Sequence, residues 1–194
     1  MKFRSVGMTA CLTLLFTQTA FAHTFGAHDA SLYQGFIHPL SGLDHLLAML
    51  AVGVWAAQIG GRARWLIPAA FITMLAVGGG LGRLGWVLPQ IELGIAGSVV
   101  VFGLLIVGAA RLPISVSMGI VGLFALFHGY AHGVEMPQAA TPGLYALGFM
   151  ASSAMLHGLG VVVGMVSHNG WPSRLLRLGG MSLAVGGVWL LAAL

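Results

Sequence analysis

Long apolar runs, each closed by a short polar or glycine-rich joint, dominate the pattern along this chain. Six of them, over residues 40–59, 65–81, 91–109, 113–130, 143–166 and 175–194, come near the roughly 20 residues an α-helix needs to cross a bilayer. A further apolar run, ending at Phe16, has a different setting. It follows Lys2 and Arg4 and precedes Ala20-Phe21-Ala22, the small-x-small pattern of a secretory signal. The pattern therefore predicts a signal peptide over 1–22, cleaved in preference to being kept as a first helix. It predicts a single six-helix transmembrane domain over 23–194, an all-α integral membrane protein.

Composition strengthens that picture. Of 194 residues, 58% are hydrophobic and only 6% charged, against about 25% charged in a typical soluble domain. Mean hydropathy is +0.97. Thirty glycines suit helices that must approach closely in lipid. They gather at Gly78-Gly79-Gly80, Gly129-x3-Gly133, Gly160-x3-Gly164, Gly179-Gly180 and Gly186-Gly187, where tight helix packing is the simplest role. Removing the targeting segment takes away Lys2, Arg4 and the single cysteine, Cys11. The mature chain then has no disulfide, no thiolate ligand and no lysine. A P-loop needs its lysine, so nucleotide hydrolysis is excluded. The six remaining arginines stand singly, which is not a nucleic-acid-binding patch.

The arginines set an orientation. Arg62 and Arg64 fall in the first connection, Arg111 in the third, Arg174 and Arg177 in the fifth, and only Arg83 in an even-numbered one. The positive-inside rule places the odd connections in the cytoplasm and both mature termini in the periplasm, which agrees with a cleaved signal. A bacterial inner membrane is the expected location. Trp65, Trp86, Trp171, Tyr33, Tyr130 and Tyr145 lie near predicted helix ends, where an aromatic belt would put them.

Candidate chemistry lies where ionisable groups enter hydrocarbon, an expensive placement that points to function. The stretch from His38 to Gly53 opens the first helix with His38, Asp44 and His45, and Met49 follows one turn later. His38 and His45 are seven apart and would share a face if the helix already runs through Pro39. Ser41 and Asp44 are also spaced as a capping box, so Asp44 is read as ligand, cap or both. The fourth helix ends in Phe127-His128-Gly129-Tyr130-Ala131-His132-Gly133-Val134-Glu135. Its His128–His132 pair has the i, i+4 spacing of zinc-binding helices, with Glu135 seven from the first. Two helices thus offer ligands at one level on the outer side. His157, about 20 Å into the fifth helix, is read as a relay station or an interhelical hydrogen bond. Glu92 suits the positive end of its helix, His168 a solvated loop. His23 and His28 are either a terminal chelate or a solvated tail. Imidazole with carboxylate accommodates Ni²⁺, Co²⁺, Zn²⁺ and Cu²⁺, and affinity order alone would favour copper, so the residues do not name the metal.

The segment HPLSGLDHLLAMLAVG, with FHGYAHG and His157-Gly158, resembles the HupE/UreJ family of hydrogenase and urease accessory proteins over nearly the whole mature chain. That resemblance implies a nickel permease supplying hydrogenase or urease maturation. It also carries over His38, Asp44 and His45 as signature metal-interacting positions, with His128 and His132 as a second motif. The expected partners are a divalent metal ion and the lipid bilayer, with no nucleic acid, nucleotide, prosthetic group or catalytic residue. The expected metal contacts are His38, Asp44, His45, Met49, His128, His132, Glu135 and His157. Competing readings are an intramembrane zinc enzyme using Glu135 or Asp44 as acid–base, haem held between His45 and His132, or a membrane metal-binding protein that does not transport.

Overall fold

The computed structural model describes residues 27–166 and 171–194, and side chains within 30–166 and 173–194. The proposed signal segment with Cys11, the residues His23 and His168, and the side chains of His28 and Trp171 lie outside what is described. Among those described, every element is helical. The order is α1 (Ala27–Ser41), α2 (Leu43–Ile59), α3 (Ala63–Arg83), α4 (Ile91–Val107), α5 (Ile114–Glu135), α6 (Pro142–Val166) and α7 (Trp171–Ala192). By length and apolarity α3, α5, α6 and α7 can each cross a membrane, and α1 with α2 makes a fifth candidate if the bent pair is one span. Helix α4 is apolar but shorter, at 17 residues.

The first predicted run, 40–59, begins too late and hides a break. Helix α1 precedes it and continues through Pro39. Pro39 has no N–H to give to the preceding turn, and α1 ends two residues later. Gly42, in an extended conformation, then starts α2 at 82° to α1. His38 and His45 therefore belong to different helices, and the expectation of a shared face fails. The expected capping box fails too. Ser41 Oγ turns back to donate to the His38 carbonyl at 2.6 Å, and Gly42 caps α2 without a side-chain bond.

Helix α2 is the centre of the bundle. From Ala48 to Ala57 it is buried nearly all round, which fits a run with no polar stripe. Helices α3, α4 and α6 surround it. Glycine allows the closest approaches. A Cβ at Gly53 would fall on the His157 carbonyl and one at Gly160 on that of Leu50, so α2 and α6 touch backbone to backbone. Gly78, Gly129 and Gly133 do the same for α3 against α5, Gly35 and Gly148 for α1 against α6, and Gly103 and Gly180 for α4 against α7. Packing explains these glycines. Gly80, Gly179 and Gly186 face open space and need another account. Leucines and valines cover much of the outside, among them Leu123, Leu159, Val162 and Leu178, as lipid contact requires. Trp65 and Trp86 are exposed like belt residues, but Tyr130 and Tyr145 are buried. Tyr130 donates instead to the Trp86 carbonyl at 2.5 Å.

Side chains of α2 also finish α4. The C-terminal carbonyls of a helix lack intrahelical donors. Here Gln58 Nε2 joins the Ala109 N–H in donating to Ile106 O, at 3.2 Å, and in the turn beyond the helix the fully buried Trp55 donates to Ala110 O at 2.9 Å. Trp55→Phe keeps an aromatic ring of smaller size, removes the indole N–H and orphans that carbonyl. We expect a loss of about 1–3 kcal/mol, seen as a lower melting temperature in detergent with metal binding retained. An unchanged melt would show that Ala110 finds another donor.

Candidate metal centre

The bend at Gly42 carries out what a shared helical face cannot: it folds the end of α1 over the start of α2. A side chain at Gly42 would stand 3.1 Å from Asp44 Oδ1 and 3.2 Å from His45 Nδ1. Space and not backbone conformation is what glycine supplies there: its φ of −98° suits any residue, and a larger one would press on the Asp44 and His45 side chains. Asp44 Oδ1 accepts both the backbone N–H and the ring Nδ1–H of His45, each at 2.9 Å. One oxygen thus serves the first turn of α2 and the imidazole together.

Helix α5 meets this group from the other side. The His45 ring centroid lies 4.7 Å from that of His128 and 4.3 Å from that of His132, while His132 lies 4.6 Å from His38. Four imidazoles from α1, α2 and α5 therefore form one continuous cluster. At its outer edge, His38 Nε2 stands 3.3 Å from Glu135 Oε2, and His132 Nδ1 stands 3.8 Å from the same oxygen. His38, His132 and Glu135 each offer a ligand atom within 4.8 Å of the others, a group able to hold a metal ion. Side-chain exposure falls along the cluster, from 31% at His38 to 11% at His45 and 5% at His132, and His128 is fully buried.

Hydrogen-bond bookkeeping shows how the rings are set. The carboxylate of Asp44 accepts, so a neutral His45 carries its proton on Nδ1 and keeps a bare lone pair on Nε2. His157 Nδ1 lies 2.6 Å from the Ser153 carbonyl, which also only accepts, so its Nε2 is bare as well. Both bare nitrogens are buried and find no hydrogen-bond partner among the described residues; the same is true of His128 Nδ1 and of both nitrogens of His132. One nitrogen held by an oxygen and the other left free is the arrangement that orients metal-binding imidazoles. In proteins generally, most buried polar atoms are paired.

Two predicted residues stand apart from the cluster. His157, buried in α6, is separated from it by Phe71 of α3, whose ring lies 5.9 Å from His128 and 4.8 Å from His157. Met49 is fully buried in the apolar core one turn beyond His45. Glu92 is exposed in the first turn of α4. Sequence reasoning missed Phe71, Phe149, which packs on His132 at 4.1 Å between centroids, and Ser98, whose Oγ lies 2.9 Å from His128 Nε2. Phenylalanine in an apolar helix gives no signal. Ser98 gave one, as the single hydroxyl in α4. Tyr145 was expected at the interface and instead sits 6.0 Å from His38 between ring centroids. An apolar cavity of ≈ 320 Å³ between α3, α5 and α6 reaches His132 from the flank, so the cluster sits in surroundings of low dielectric.

Comparison with known proteins agrees with the motifs. The family model described as HupE / UreJ protein matches residues 11–190. The chain is similar to Protein HupE of Rhizobium leguminosarum bv. viciae, 39% identical over 191 residues that cover 98% of this chain and 99% of that protein. No solved structure matches it.

Proposed function

The chain belongs to the HupE / UreJ family, and from that premise we propose that it is a secondary permease bringing nickel(II), or a similar divalent transition metal, from periplasm to cytoplasm for hydrogenase or urease maturation. The observation that carries this reading is the set of preset imidazoles. His45, His128 and His132 converge from two helices with buried nitrogens that no donor fills. Ligating nitrogens must be free of protons to bind a cation, and the bond to Asp44 leaves Nε2 of a neutral His45 in that state. His38 and Glu135 form the outer mouth, where a hydrated ion is first held. His45, His128 and His132 receive it with less water, Asp44 orients His45, and Met49 and His157 lie on the inward route. The donor set suits nickel, cobalt, zinc and copper alike, and the choice of nickel rests on the family.

The proposed topology has six crossings. The bent α1–α2 pair supplies the first, and α4, at about 25 Å, spans by local thinning of the bilayer. The arginine distribution supports odd connections in the cytoplasm of a bacterium, periplasmic mature termini after cleavage of residues 1–22, and residence in the inner membrane.

The test is flux. Purified protein in liposomes containing a nickel-sensitive dye is expected to admit Ni²⁺ at a saturable rate, with Co²⁺, Zn²⁺ and Cu²⁺ competing in proportion to their use of the same ligands. Tight binding without movement of any of the four ions would replace the permease with a metal-binding membrane protein.

A further inference from the structure

The proton bookkeeping that settles His45 and His157 does not by itself settle His128, because its partner is a hydroxyl and a hydroxyl can either give or accept. The environment of Ser98 resolves the ambiguity. Ser98 and His128 are both fully buried. Ser98 Oγ lies 2.6 Å from the Ile95 carbonyl, one turn earlier on α4, and donates to it. Two oxygens so close in a dry interior require a proton between them, and the carbonyl has none. The single hydroxyl proton is therefore committed to Ile95. The 2.9 Å contact between Ser98 Oγ and His128 Nε2 must then be made by a proton on the imidazole. His128 holds its proton on Nε2, opposite to His45 and His157, and keeps its lone pair on Nδ1, the buried atom without a partner. The planes of the His128 and His45 rings stand at 89° to each other.

We infer that Ser98 is a positioning residue of the metal centre, fixing the His128 tautomer so that Nδ1 is available to the cation. This rests on the metal reading above for its purpose, though not for its geometry. The opposite tautomer would turn an N–H toward the place where a cation is to be held and leave Nε2 facing an oxygen with no proton to offer. Losing a partner of this kind costs about 10–100-fold in metal affinity.

The experiment combines two readouts on the full chain in lipid nanodiscs. With ¹⁵N-labelled histidine and no metal, His128 of the wild type is expected to give the Nε2–H signature, while His45 and His157 give Nδ1–H. Ser98→Ala is expected to lose that signature and to bind Ni²⁺ about 10–100-fold more weakly. Ser98→Thr retains a hydroxyl that can bond the preceding turn and is expected to restore both. A wild-type His128 protonated on Nδ1 overturns the assignment, even if Ser98→Ala fails to fold. So does a folded Ser98→Ala protein with unchanged signature and affinity. If the wild type binds no nickel, the metal reading falls, and the tautomer readout still decides the role of Ser98.

Discussion

Cells expressing the His45→Ala/His132→Ala chain are expected to accumulate labelled nickel no faster than cells with an empty vector. The two rings lie 4.3 Å apart and come from different helices, so this pair joins the two halves of the cluster. Removing a mere orienting partner already costs about 10–100-fold in affinity. Removing two direct ligands should cost at least the square of that range, about 10²–10⁴-fold, and raise the nickel concentration needed for binding by the same factor. The variant should still fold, because neither ring makes a hydrogen bond that closes a helix end, and both replacements favour helix. Membrane levels of the variant measured beside uptake separate loss of transport from loss of protein. Uptake at the wild-type rate would sink the assignment of the cluster as the metal path.

The second large effect is on assembly. Gly53→Val is expected to leave almost no correctly folded protein, because even its first carbon would lie on the His157 carbonyl and against the backbone of Gly160 and Val161. No rotamer relieves a collision with backbone. Overpacking in a core costs about 1–3 kcal/mol when side chains can yield, and here they cannot, so the cost exceeds that range. Gly80→Ala and Gly186→Ala are the contrast. Both face open space within helices, and exchanging glycine for alanine there should be neutral or stabilising by up to about 1 kcal/mol. Size-exclusion profiles and melting curves of the three variants measure the difference. A monodisperse Gly53→Val protein that melts like the wild type would mean that α2 and α6 need not touch.

These contrasts also show which features could be read from the sequence. Helices α3, α5 and α6 were legible within a few residues, because long apolar runs between arginine-bearing or proline-bearing joints leave little choice in lipid. The pairing of His128 with His132 was legible because both lie on one helix, where spacing is geometry. Helix α1 was not. Its residues mix Asp29, Gln34 and His38 with apolar ones, and Pro39 looked like a beginning when it lies in the last turn. The seven-residue interval from His38 to His45 suggested a stripe, whereas the chain bends at Gly42 and brings His38 back from another direction. Ser41 had the right spacing for a cap, but spacing cannot say whether a hydroxyl turns forward or back. Gly78 and Gly80 look alike in sequence, and only the partner helix separates a buried glycine from an open one. The neighbours of His128 were beyond reach for the same reason. Ser98 and Phe71 come from helices 30 and 57 positions away in the chain, and neither residue type carries a mark of its role.

The decline in exposure from His38 to His128 has a consequence for which ions the proposed path turns away. Magnesium and calcium are the abundant divalent cations of most media, and both demand shells of oxygen that they surrender reluctantly. At the mouth they meet Glu135, which can hold them loosely with most of their water in place. Beyond it the walls offer imidazole nitrogen in increasingly buried surroundings, with Asp44 Oδ1 already engaged by His45. Each step inward removes water that such ions cannot replace in kind. On the proposed path the graded burial of the histidines would act as a dehydration sieve, turning hard cations away before any contest among the transition metals begins.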